Sequence, residues 1–135
     1  MSQKATPSRP VLPMPYIRAE MIVQIGTAIL LILAWYMARK YYLQLPETIA
    51  IHFDFAGNPD GYGSSKTIFL VPAITTIISV AIAFLARIPE KFNYLTTITE
   101  ANAQREYRKA RMLLFAICFF TAVVALVAVW KIGAR

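Results

Sequence analysis

Three stretches of this chain are apolar all round and free of Asp, Glu, Lys, Arg and His: Met21–Ala38, Thr67–Ala86 and Met112–Trp130. Each is about as long as a helix needs to cross a bilayer's hydrocarbon core, where uncharged runs of roughly 18 or more residues mark a span. A helix buried in a soluble protein would show a polar face at helical spacing, and these show none. The pattern predicts spans at 21–38, 67–86 and 112–130, an intervening loop at 39–66 and a second loop at 87–111. Thr97 and Glu100 fit a capping box, with Thr99 a competing cap immediately before a run of helix formers, "EANAQREYRKAR". The third helix is therefore expected to begin near Thr99 and to run unbroken to about Trp130.

Between the first two spans the pattern changes. Ile49, Ile51, Phe53 and Phe55 alternate with Ala50, His52 and Asp54, the period of a strand with one apolar face. "GNPDG" follows, with Pro59 suited to the second position of a turn that Asp60 and Gly61 complete. The expected fold class is an all-α integral membrane protein. It has three transmembrane helices, a short strand-turn loop between the first two, and a third helix extending into the cytoplasm. Residues 1–16, with Pro7, Pro10, Pro13 and Pro15, read as a disordered proline-rich tail; residues 17–135 form the membrane domain. The tail is long for a signal n-region, and no small-x-small cleavage site follows the first span, which reads as a retained anchor.

Composition agrees with this reading. The chain has 135 residues, 58% of them hydrophobic, and a mean hydropathy of +0.53. Its net charge of +7 is distributed by topology. Lys4, Arg9 and Arg18 share one side with Arg87, Lys91, Arg105, Arg108, Lys109 and Arg111; Arg39, Lys40, Lys66, Lys131 and Arg135 lie opposite. The bias predicts a cytoplasmic N-terminus and an outer C-terminus, although Arg39 and Lys40 oppose it. Arg105, Arg108, Lys109 and Arg111 are placed to meet anionic lipid phosphates, with a solvated charged face as the alternative. No nucleic-acid motif is present. Cys118 lies in the third span as a small packing residue.

The chemistry-bearing residues gather in the outer loop. His52, Asp54 and Asp60 are weak candidates for a metal, being chemically fit for zinc or manganese but lacking a fourth ligand. The alternative is structural, with the aspartates accepting backbone N–H groups in the turn and His52 or Lys66 pairing with a carboxylate. Ser64–Lys66 offers no oxyanion donor or third group for nucleophilic catalysis. No catalytic motif occurs and no ionisable residue lies within the apolar runs. No enzyme activity and no cofactor are expected.

"LPETIAIHFDFAGNPDGYGSSK" resembles the signature of the domain of unknown function 1648 family through Leu45, Pro46, His52, Phe53, Gly57, Asp60 and Lys66. Phe92, Asn93, Tyr94, Ile98, Thr99, Asn102 and Tyr107 are similar to the second loop of its short members, so the resemblance covers about residues 17–130. It implies a bacterial inner membrane and carries no established chemistry; the reading of the loop itself makes His52, Asp54, Gly57, Asp60 and Lys66 a candidate ligand or partner loop. In longer relatives the domain forms the N-terminal half of SdpI-type proteins, which protect against a secreted peptide; the second half has no counterpart here. Three functions follow as expectations: a non-enzymatic accessory subunit of a larger membrane complex, an SdpI-like peptide immunity or sensing protein, and a metal-binding enzyme using the outer loop.

Overall fold

The computed structural model describes residues 9–134. Its elements are helix α1 (Arg18–Tyr42), strands β1 (Thr48–Phe53) and β2 (Pro59–Ser64), a 3-10 turn at Ser65–Phe69, helix α2 (Leu70–Leu85), a second 3-10 turn at Pro89–Lys91, and helix α3 (Ala103–Gly133). Three helical segments, Arg18–Tyr42, Ser65–Leu85 and Ala103–Gly133, are long and apolar enough to cross a membrane. The predicted runs lie inside them, apart from Ala86.

α3 is the central helix. Its buried residues, Ala103, Tyr107, Arg111, Phe115, Cys118, Ala122, Ala125 and Val129, recur every three or four positions and form one continuous stripe. The small members of that stripe let helix backbones approach closely, the usual means of packing where lipid removes the hydrophobic drive between helices. On α1 the matching stripe is Glu20, Thr27, Leu31, Ala34 and Ala38. A Cβ on Gly26 would come within 3.0 Å of the Phe119 ring, so a glycine lets α1 lie against α3 there. α2 buries only Pro72 and Thr75. At one end, Ala38 of α1, Ile68 of the 3-10 turn before α2 and Val129 of α3 form an apolar cluster, flanked by Tyr41, Tyr42 and Phe69.

Several expectations are corrected. α3 begins at Ala103, not near Thr99, because Asn102 ties down the preceding loop. Its Oδ1 accepts the Thr99 N–H at 2.8 Å and its Nδ2 donates to the Thr97 carbonyl at 2.9 Å, so neither Thr97 nor Thr99 serves as the cap. α3 also continues past Trp130 to Gly133. The strand-turn loop holds two strands rather than one, β1 and β2, paired antiparallel. The leader is not a free tail over the residues described. The Arg9 guanidinium donates to the carbonyls of Glu90 and Phe92, and Pro10, Met14 and Pro15 carbonyls are held by α3. The remainder of that predicted tail, residues 1–8, lies outside the described residues, as does Arg135.

Candidate functional site

The hairpin contains the outer-loop residues singled out above. Its reversal lies at residues 54–58, ahead of the turn that the sequence suggests around Pro59, Asp60 and Gly61. Asp54 Oδ1 accepts the Asn58 N–H at 2.8 Å, and Oδ2 accepts Asn58 Nδ2 at 3.2 Å. Gly57, at φ +85°, supplies the left-handed residue that closes the turn. Pro59 opens β2 opposite Phe53 rather than sitting inside the turn. The hydrogen bonds from Asn58 hold the Asp54 carboxyl below its ordinary pKa. Asp54 is thus a turn residue.

Two irregularities in the ladder decide where the other residues go. The register passes from Ala50–Tyr62 to His52–Gly61 and then to Phe53–Pro59, leaving Ile51 as an extra residue on β1 and Asp60 on β2. Such bulges break strict alternation and re-aim side chains. Ile49 is buried, but Ile51 is exposed and Phe55 stands fully in the open, so the predicted single apolar face does not form. His52 Nδ1 and Asp60 Oδ1 come together at 2.5 Å on the exposed side of the hairpin. Gly61 lies under His52, where a Cβ would approach the His52 Cβ to 2.9 Å. Lys66 is exposed in the 3-10 turn, and its N–H donates to Ser64 Oγ at 3.3 Å.

His52 and Asp60 therefore meet, while Asp54 and Lys66 stand apart from them. Among the described residues no group of three or more His, Cys, Asp or Glu is placed to hold one metal ion.

At the opposite end, α3 divides its cations between two faces. Arg111 is 2% exposed and Glu20 is wholly buried, so Arg111 is not a lipid contact. Its Nε and Nη2 donate to the two Glu20 oxygens at 2.8 and 2.6 Å, a bidentate fork. Nη1 donates to the Met14 carbonyl at 2.8 Å and Nη2 to that of Pro15 at 3.2 Å, while the guanidinium lies 4.7 Å from the Tyr16 ring centroid. The Tyr107 hydroxyl donates to the Pro10 carbonyl at 3.0 Å. Burial, with Tyr107 adding to it, pushes the Tyr94 hydroxyl up to about 12; it remains a neutral donor to the Pro89 carbonyl, at 2.9 Å. Sequence reasoning missed this clamp. The available signal was Glu20, the one acidic residue directly before the first apolar run on the same side as the basic cluster.

A third feature is a lateral groove. Gln24, Thr27, Ala28 and Leu31 of α1 face Thr76, Ser79, Val80 and Ala83 of α2 across a cleft of about 190 Å³ floored by Phe115 and Cys118 of α3. Both walls recur at i, i+3, i+4 and i+7, the spacing of a single helix face. Trp35 Nε1 donates to Thr76 Oγ1 at 3.1 Å and closes one end. Thr27 and Thr76 return their hydroxyls to the carbonyls of Val23 and Pro72.

A protein from Archaeoglobus fulgidus, described as uncharacterized, is 34% identical over 56 residues, which are 42% of this chain and 31% of that protein. The chain thus spans about a third of the length of the curated relative it matches. No solved structure matches significantly. The second loop, with Phe92, Tyr94 and Tyr107, falls outside the family match, which takes in the latter part of α1, the whole hairpin and the first part of α2. Residues 29–76 match the model of the family described as domain of unknown function (DUF1648).

Proposed function

We propose that the chain is a multi-pass membrane protein with a non-enzymatic accessory role, holding a transmembrane helix of a larger membrane complex in the groove between α1 and α2. In this arrangement the leader lies on the cytoplasmic side of the inner membrane and the hairpin outside. The groove is the observation that carries the reading. Its walls are rich in residues small enough for close helix approach, and Gln24 offers a polar group where hydrocarbon offers none. The Ser79 hydroxyl is buried and turned toward Cys118. A lipid tail would leave the Gln24 amide unmatched; a helix bearing a polar side chain would not.

The test is purification from native membranes in mild detergent, with a photo-cross-linker placed at Ala28 or Ala83. The expected result is one stoichiometric protein cross-linked through a transmembrane helix and lost in Ala83→Leu, which fills the groove. Cross-links to lipid alone, or a partner retained unchanged in Ala83→Leu, would overturn the reading.

A second reading, recognition of a peptide, is favoured by the hairpin. Among the described residues the sheet has two strands, so a further strand could be added at an edge, and Ile51, Phe55 and Tyr62 are exposed on the hairpin. Deletion of the gene should then sensitise cells to a secreted peptide, with Phe55→Ser reproducing the effect. Unchanged sensitivity in the deletion would sink it.

A further inference from the structure

Arg105, Arg108 and Lys109 stand on one face of α3, and Met112 completes the stripe a turn further on; these four residues line a cleft of about 410 Å³. The face behind them carries Tyr107 and Arg111, buried against the leader and α1. The same two turns of helix therefore hold one cation matched by a carboxylate inside and three cations outside. Among the described residues Glu106 is the acid that ion-pairs with this face, accepting from Arg105 Nε at 2.9 Å and Lys109 Nζ at 3.3 Å. Arg108, whose charge is felt by Glu20, makes no hydrogen bond among the described residues. The outer face keeps a net positive charge that nothing among the described residues neutralises.

The position of this cleft selects its ligand. Met112 is the first residue of the uncharged run, and at a rise of 1.5 Å per residue the three cations lie within about 10 Å of its edge. The headgroup layer of one leaflet is on the order of 5–8 Å deep, so the cations reach the level of the phosphates. Below them the lining turns apolar at Met112, with exposed Leu113 beside it. Cations above and an apolar contact below match the boundary between a phosphate headgroup and its first acyl carbons. A soluble phosphate would use only the upper half.

We infer that Arg105, Arg108, Lys109 and Met112 form a binding site for one anionic phospholipid, with the phosphate on the three cations and the start of an acyl chain on Met112. The site rests on the membrane-spanning reading and is independent of the groove between α1 and α2; the variants that test each lie on different faces.

The experiment is native mass spectrometry of the full chain in mild detergent, incubated with phosphatidylglycerol, phosphatidylcholine or inorganic phosphate. Phosphatidylglycerol should be retained preferentially, and Arg108→Gln should lower its retention about fivefold, the weight of one cation near an anionic surface. The double variant Arg105→Gln, Lys109→Gln should lose more, whereas Arg108→Lys keeps the charge and most of the binding. Met112→Gln, which leaves every charge in place, should also weaken retention. Arg39→Gln with Lys40→Gln, at the other end of α1, should leave it unchanged. Equal retention of the two lipids, or retention that survives the double variant, would overturn the assignment. Displacement of phosphatidylglycerol by an equal concentration of inorganic phosphate would overturn the lipid in favour of a soluble anion.

Discussion

Arg108 and Arg111 carry the same charge three residues apart in one helix, yet Arg111 is sealed against Glu20 and Arg108 is left facing outward. Arg111 uses Nε and both terminal nitrogens on Glu20, Met14 and Pro15, which satisfies most of its donors and makes its burial tolerable. Removing one partner of such a pair leaves an uncompensated buried charge. Glu20→Gln or Arg111→Gln should therefore destabilise the bundle by about 3–5 kcal/mol. Thermal unfolding in detergent measures this, and limited proteolysis should show the leader cut more readily between residues 9 and 16. The joint change Glu20→Leu, Arg111→Met should recover much of the loss, because no lone charge remains. At the other end of the molecule, Asp54 gives a pH dependence. Its carboxyl pKa is held below the ordinary value by Asn58, so the turn's extra stability is present above the unfolded-state pKa, near 4. It is lost as pH falls through the lower folded value. Amide protection at Gly57 and Asn58, taken relative to the intrinsic exchange rate, should fall over that acidic window, and Asp54→Ala should show the low protection already at neutral pH.

Among the elements, the helices were legible in the sequence and their ends less so. Long uncharged runs have few ways to exist other than as helices in hydrocarbon, so hydropathy alone locates them. The start of α3 was misjudged because two threonines and a glutamate fit a capping pattern, while Asn102 makes the actual contacts through the Thr97 carbonyl and the Thr99 N–H. Asn102→Ala should cost about 1 kcal/mol by removing its hydrogen bonds to the loop before α3, seen as faster exchange over residues 97–102. The hairpin was half legible. Period-2 alternation identified β1, but β2 is "PDGYGS", with too few β-branched or aromatic residues to register as a strand. It pairs because Asp54 and Gly57 bring it back, and the extra residues Ile51 and Asp60 follow from that pairing. Where α1 crosses α3, Gly26→Leu should force apart Gly26 and Phe119 and destabilise the bundle by about 1–3 kcal/mol.

For the whole molecule, the arrangement is two helices packed on a third, with the polar ends turned to opposite sides. The hairpin and the loop at residues 86–102 are separated by the length of α2. Phe55 and Leu95, both fully exposed, mark the two ends. In a Cys118→Ala background, a membrane-impermeant thiol reagent added to intact cells should label Phe55→Cys and spare Leu95→Cys; the reverse pattern would invert the proposed orientation. The number of helices, their approximate limits, the loop that carries the polar residues and the family resemblance around it were set by the sequence itself, because hydropathy and turn chemistry act locally. Tertiary structure alone decided which face of each helix is buried, since a helix apolar all round has no preferred side until a neighbour covers it. It decided that Arg111 points inward and Arg108 outward, since only packing brings Glu20 and the leader carbonyls to one and not the other. It also decided that Asp60, not Asp54, joins His52. That outcome depends on a strand register shifted by one residue on each strand, and register is fixed by pairing between segments rather than by either segment alone.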